Sequence, residues 1–411
     1  MQFRLDKQSG NKLSVLGFGC MRFPRNLGTI DMQKTSNLII EAINKGVNYF
    51  DTAYMYPGSE EALGGILEKY KVRGKVYIAT KLPLVLLRGP KDFDKLLAKQ
   101  LERLRTSYID YYLMHMITDT ELWEKLRGWG IEDWIQEQKK NGRIKRIGFS
   151  FHGSQQEFLK LIDAYPWEFC QIQYNYSDEN FQAGKVGLKK AAEKMAVMVM
   201  EPLLGGKLAT GLPREAVDIF KKAHPGMSPV GWALRWIWDQ REVCLLLSGM
   251  QEPRQLEENL QLATKAYPQM LTGEEHKIYL QVLQVFNKAY KIRCTGCNYC
   301  MPCPQGVNIP GCFAAYNTSF SMGFVSGMQQ YMTSTGITSE RMSGPRLCVK
   351  CGKCETHCPQ GIPIIRSLVA VRKRMEPLVF WGIILLVRAL LGKKGKKGIS
   401  SPVTSSKSSS S

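Results

Sequence analysis

Short, nearly continuous apolar runs alternate with longer stretches of helical periodicity through the first 290 residues of this chain. "LSVLGFG", "VNYFDTA", "VYIATK", "YIDYYLMH", "IKRIGFS", "FCQIQYN", "AVMVMEP" and "VCLLLSG" read as strands. Between them lie amphipathic stretches such as "DMQKTSNLIIEAINKG" and "EEALGGILEKYKVRG". Continuous apolar strands joined by helical crossovers predict a parallel sheet, and eight such units predict a closed (β/α)8 TIM barrel of the α/β class. An open doubly wound sheet is the competing arrangement, but no G-x-G-x-x-G follows the first strand.

The pattern changes after residue 285. "CTGCNYCMPC" holds Cys294, Cys297, Cys300 and Cys303, and "CVKCGKCETHC" holds Cys348, Cys351, Cys354 and Cys358. Each run is followed by proline. The second run has the C-x2-C-x2-C-x3-C-P spacing of bacterial two-cluster ferredoxins, and the first is one residue shorter before its last cysteine. Three closely spaced thiolates can cap one face of a [4Fe–4S] cluster while the fourth reaches its neighbour. This assigns Cys294, Cys297, Cys300 and Cys358 to one cluster, and Cys348, Cys351, Cys354 and Cys303 to the other. Two zinc sites are the metal alternative, because C-x2-C pairs also suit zinc. The connection between the runs reads as helical, which predicts a small, mainly α-helical ferredoxin-like domain. Cys20, Cys170, Cys244 and Cys312 read as buried, inert thiols. The expected organisation is a barrel over 1–285, a dicluster domain over 286–375 and a tail over 376–411.

Barrel enzymes place their chemistry at the C-terminal ends of the strands. Those ends carry Asp51 after the second strand, Tyr56 in the loop beyond it, Lys81 at the third and His115 at the fourth. A phenol alone is a poor acid at neutral pH. A nearby ammonium makes it a better one, a carboxylate can anchor that ammonium, and an imidazole can orient a carbonyl oxygen. The group suits protonation of an alkoxide as hydride arrives at its carbon.

At these residues the chain resembles the aldo-keto reductase superfamily, in "NYFDTAYMYPGSEEALG", "ATK" and "YYLMH", with further similarity in "SVLGFGCMRFP" and "QLEENL". The resemblance runs from about Gln2 to Ala263 and implies Asp51, Tyr56, Lys81 and His115 as a catalytic tetrad. It also implies a nicotinamide cofactor held without a Rossmann fold. Ser150 and Gln171 would hold the carboxamide, with Gly19, Met21 and Asp51 nearby. The loop "EPLLGGKL", with Glu201, Leu203 and Gly205, would cross the pyrophosphate. Ser248 and Gly249 stand before the last helix, whose N-terminal amides would face phosphate, and Met250, Gln255, Glu258 and Asn259 would be further cofactor contacts. Three positions depart from the family. Met200 stands where many members stack an aromatic ring, and Phe151 where many use Asn. Gln251, Glu252 and Gln255 lie around the adenosine 2′ position, where many NADP-dependent members carry Lys and Arg, with Arg254 one position off. The acidic 2′ region leans towards NADH. A subset of aldo-keto reductase-like proteins carries a C-terminal dicluster module, and this chain resembles that subset.

A net charge of +20 raises nucleic acid as a partner. After Gly361, however, ten Lys or Arg stand against the single acid Glu376, and the remaining excess is spread without an Arg-rich helix. No nucleic-acid partner is expected. "MQFRLDKQSGNKLSVLGFG" has no apolar signal region, so the expected compartment is a reducing cytoplasm. In the tail, Pro377 to Leu391 would form a helix of about 22 Å, against about 30 Å of hydrocarbon to cross. Basic flanks suit an interfacial helix on the inner face of a membrane, and packing against the protein or a partner subunit is the other reading. The last dozen residues have the composition of a disordered end.

Hydride chemistry moves electrons in pairs, and a [4Fe–4S] cluster moves them singly. No sequence signal for a flavin, the usual converter, is visible. Three readings follow. The clusters exchange electrons with a substrate at the barrel, through a flavin or directly. Alternatively, the barrel is an NAD(P)H-dependent carbonyl reductase with structural or sensory clusters. Or the barrel is a scaffold for an electron-transfer subunit. Expected partners are a small carbonyl substrate and a redox protein such as ferredoxin.

Overall fold

Eight parallel strands close into one barrel, each paired with its neighbours in chain order. They are β1 (Leu16–Gly19), β2 (Tyr49–Asp51), β3 (Tyr77–Leu82) and β4 (Ile109–Ile117), then β5 (Ile144–Phe151), β6 (Phe169–Gln173), β7 (Ala196–Met200) and β8 (Val243–Ser248). All eight coincide with the apolar runs of the sequence. The computed structural model describes residues 1–335 and 342–376, and the tail expectation for Pro377 onwards lies outside them. Among the described residues no helix is long and apolar enough to cross a membrane.

Side chains on a strand alternate between faces, so every second residue of a barrel strand points inward. Tyr49, Ala79, Leu113, Phe169 and Met198 accordingly form part of one buried apolar cluster. Two residues further along the same strands stand Asp51, Lys81, His115, Gln171 and Met200. The interior thus changes from apolar to largely polar at the C-terminal end of the barrel. An antiparallel hairpin of Phe3–Leu5 and Lys12–Ser14 brings Leu13 into the apolar cluster. The outward residues, such as Phe18, Phe50, Ile78 and Phe149, pack on helix residues including Ile39, Leu63 and Phe158. Burial of each large side chain contributes about 1.5–3 kcal/mol, and this layer fixes the helices on the barrel.

The chain divides into two compact units. The first runs from Met1 to Cys297 and takes back Pro359–Gly361; the second comprises Asn298–Cys358 and the chain from Ile362. The first unit therefore continues past residue 285 into the first cysteine run. In the second unit, helices Ile309–Ser321, Phe324–Ser334 and Ile364–Met375 pack together. Gly327 allows one close approach, because a Cβ there would meet the backbone of Ser319. The buried Glu376 carboxylate accepts from Tyr331 Oη and Arg346 Nε, each at 2.6 Å. Arg374 donates to Ser319 Oγ at 2.7 Å and lies over the Phe320 ring. Two of these helices, Ile309–Ser321 and Phe324–Ser334, lie in the connection between the cysteine runs, where the sequence predicts helix.

Candidate active site

The polar layer at the C-terminal end of the barrel centres on one buried ion pair. Lys81 Nζ donates to both carboxylate oxygens of Asp51, at 2.7 and 2.8 Å, and to the Thr52 carbonyl at 2.7 Å. Lys81 and Asp51 are 1% and 3% exposed, so the pair is shielded from solvent and each partner depends on the other. Burial raises the Asp51 carboxyl above its ordinary value, and the Lys81 ammonium and Gln171 amide oppose that rise. The Tyr56 ring stands 5.3 Å from Lys81 Nζ and packs edge-on to His115 at 6.2 Å between ring centroids. The structure thus brings all four residues of the predicted tetrad together.

His115 does not end its strand. β4 continues to Ile117 through an irregularity, with Met116 at φ 59° and its N–H donating to Ser150 Oγ at 2.8 Å. That bulge holds the imidazole on the interior face while the strand goes on. Burial, with the Lys81 charge next, lowers His115 well below the ordinary histidine range. A neutral imidazole is suited to hydrogen-bond a carbonyl oxygen.

The depressed value has a consequence for stability. The unfolded chain takes up a proton at His115 as pH falls below about 6.5, and the folded chain does not, so stability is present above that pH and lost below it. The expected slope is up to about 1.4 kcal/mol per pH unit for one histidine. Urea midpoints measured between pH 7 and pH 5 should fall, and should fall less steeply for His115→Gln. Equal slopes in the two proteins would show that His115 is not the residue responsible.

The residues implied for a nicotinamide cofactor make contacts within the chain. Gln171 Nε2 approaches Met200 Sδ at 3.5 Å, while Gln171 Oε1 is buried without a partner. Ser248 Oγ accepts from Asn259 Nδ2 at 2.9 Å, and Glu258 accepts from Ser228 Oγ. Met250 is buried, and Gly249 lies beside Gly19 and Arg22. Gln255 Oε1 accepts from the N–H groups of Gln251 and Glu252, closing a capping box at the start of helix Pro253–Ala263. Glu252 also pairs with Lys34 at 2.6 Å. Phe151 is fully buried against Phe158, with ring centroids 4.9 Å apart, and so takes part in the core.

A second polar layer was not visible in the sequence. Asp178, 1% exposed, accepts from Arg293 at 2.6 Å and from Gln173 at 2.7 Å. Gln173 Oε1 accepts from Gln360 Nε2 at 2.8 Å, and the Pro359 carbonyl accepts from Gln182 at 2.8 Å. Arg22 donates to the Gly205 carbonyl at 3.2 Å and to the Thr295 carbonyl at 3.3 Å. Arg293 and Thr295 flank Cys294, and Pro359 follows Cys358, so cluster-run neighbours are fixed to barrel loops. Adjacency to a cysteine in "KIRCTGC" was the available signal for Arg293 and Thr295.

None of the twelve cysteines takes part in a disulfide. Cys20, Cys170, Cys244 and Cys312 are buried, and the eight of the two runs are exposed or half-buried. Burial raises Cys354, and the charges of Glu355, Cys348 and Cys303 act on it in the same direction. Cys303 belongs to the same compact unit as Cys348, Cys351 and Cys354. The eight thiols of the two runs form no disulfide, and among the described residues no three His, Cys, Asp or Glu side chains converge on a single-metal site; by donor type and spacing, eight thiolates are the set that two iron–sulfur clusters require.

The Aldo/keto reductase family model matches residues 15–274, and the 4Fe-4S dicluster domain model matches residues 293–362. Aldo-keto reductase str7 of Strobilurus tenacellus is 24% identical over 290 residues, which cover 61% of this chain and 84% of that protein. The uncharacterized oxidoreductase YqkF of Bacillus subtilis is 26% identical over 296 residues, covering 64% of this chain and 91% of its own. Among solved structures, the holo form of aldo-keto reductase AKR11C1 from Bacillus halodurans superposes with a TM-score of 0.57 at 24% identity. That match covers 69% of this chain and 96% of the other, and it speaks for the fold.

Proposed function

The chain belongs to the aldo/keto reductase family and is an iron–sulfur-containing oxidoreductase, and on that premise we propose that it reduces a carbonyl at the barrel with electrons delivered through its two clusters. The proton chemistry rests on the Asp51–Lys81 pair beneath the Tyr56 ring. Tyr56 gives its phenolic proton to the developing alkoxide. The Lys81 ammonium stabilises the phenolate left behind, Asp51 holds the ammonium in place, and neutral His115 orients the carbonyl oxygen.

Reduction of one carbonyl to an alcohol takes two electrons and two protons. Two clusters, held by the eight cysteines of the two runs, would supply the electrons one at a time when bound. Tyr56 provides the proton at oxygen, and the second, drawn from water, goes to carbon. The observation that carries the coupling is the course of the chain around Cys294. Arg293 and Thr295, on either side of that ligand, bond to groups of the barrel's own compact unit. A cluster held there has its backbone anchored to the catalytic unit.

The test is a donor comparison on anaerobic holoprotein with a panel of aldehydes and ketones. Reduced viologen or reduced ferredoxin should support alcohol formation. NADH or NADPH should not substitute. Turnover with a nicotinamide donor and none with reduced viologen would instead identify a dinucleotide-dependent reductase.

A further inference from the structure

Five amides of the loop Glu201–Leu208, those of Leu204 to Leu208, are occupied within the loop. Leu204 N–H donates to Glu201 O at 3.1 Å, Gly206 N–H to Leu203 O at 2.9 Å, and Leu208 N–H to Leu203 O at 3.1 Å. Lys207 N–H donates to Leu204 O at 3.3 Å, and Gly205 N–H bonds the Glu201 carboxylate. A phosphate needs free N–H donors or uncommitted cations, and a carboxylate already sits on the donor that the glycine would offer. The outer face of the loop is also taken. Gly205 adopts φ 67°, and a Cβ there would collide with the Thr295 carbonyl oxygen. Arg22 bonds both of these carbonyls, while the charge of half-buried Lys207 acts on Cys294 and Glu201. At the other end of the expected dinucleotide track, Gln255 and Glu252 cap the first turn of helix Pro253–Ala263.

We infer that the Glu201–Leu208 loop, with Arg22 and Lys207, seats the Cys294–Thr295 segment and its iron-bound thiolate in place of a dinucleotide pyrophosphate. The inference rests on Cys294 being a cluster ligand and not on the carbonyl chemistry. The two anions compete for the same cations. A thiolate-ligated cluster carries net negative charge, and a cation close to it stabilises the reduced form, which carries one charge more. Lys207 lies on the same loop, two residues beyond the Gly205 that meets the Thr295 carbonyl, and its charge would raise the potential of a cluster that Cys294 helped to hold. Arg22 acts differently: its guanidinium ties two backbone carbonyls and fixes the segment on the loop. The glycine at 205 is required because the Thr295 carbonyl lies where a side chain would begin.

Two measurements on the full-length holoprotein test this. Calorimetric titration with NADH and with NADPH should show no saturable binding, with any dissociation constant weaker than about 1 mM. In a redox titration followed by electron paramagnetic resonance, Lys207→Met should move one cluster to lower potential and leave the other where it was. Lys207→Arg should restore the wild-type potential, and iron per chain should be the same in all three proteins. Saturable micromolar binding of either dinucleotide would overturn the inference, as would unchanged potentials in Lys207→Met. Should Lys207→Met lose iron, the titration of the unaltered protein decides alone. Carbonyl reduction is not read in either measurement, so failure here is distinct from failure of the proposed reaction.

Discussion

The Tyr56→Phe protein is expected to reduce its carbonyl substrate about 10² to 10⁴-fold more slowly than wild type, the range that general acid catalysis contributes. The change deletes only the hydroxyl. The ring keeps its edge contact with His115 and its place 5.3 Å from Lys81 Nζ, so the pocket should hold its shape. Tyr49, on the strand before it, does not replace it: that side chain is fully buried in the apolar interior, and burial pushes its hydroxyl well above the ordinary range. Rates measured with reduced viologen as donor, alongside iron content and thermal unfolding, separate loss of the acid from loss of the fold. A wild-type rate in Tyr56→Phe would eliminate the proton-transfer role, whatever the source of electrons.

Anaerobic protein should contain about eight iron and eight sulfide per chain, and Cys303→Ser should remove or damage one cluster completely. The cluster lost should be the one held by Cys348, Cys351 and Cys354, some fifty residues along the chain, and not the one held by its sequence neighbours. The ground is the spacing: the fourth cysteine of each run, set before a proline, reaches the neighbouring cluster, and Cys303 shares the second compact unit with Cys348, Cys351 and Cys354. Cys358→Ser should do the converse and affect the cluster of Cys294, Cys297 and Cys300. Mössbauer or paramagnetic resonance spectra of the two variants give the answer directly. If Cys303→Ser altered the same cluster as Cys300→Ser, each run would hold its own cluster and the crossed set would be wrong. About one zinc per run, with no sulfide, would replace both assignments.

The sequence by itself determined the parts of this protein that depend on local period and spacing. Eight apolar runs specify eight strands, because a strand buried on both faces needs apolar residues throughout and little else. The tetrad was legible because Asp51, Lys81 and His115 stand two residues beyond Tyr49, Ala79 and Leu113, which fill the interior, in the same runs. The cysteine runs announce their chemistry by spacing alone, since thiolates two or three residues apart can share a cluster. Tertiary structure decided the rest. Met116 at φ 59° lets β4 run past His115 while the imidazole stays inside, a bulge set by the bond to Ser150 on the next strand. The loop Glu201–Leu208 reads as a phosphate loop from its glycines, while the structure bonds the amides of Leu204 to Leu208 within the loop and sets the Thr295 carbonyl against Gly205. Arg22 and Thr295 lie 273 positions apart, and Gln173 and Gln360 lie 187 apart. Such contacts follow no period along the chain. They exist only once the barrel has closed and the segments around Cys294 and Cys358 have returned to it.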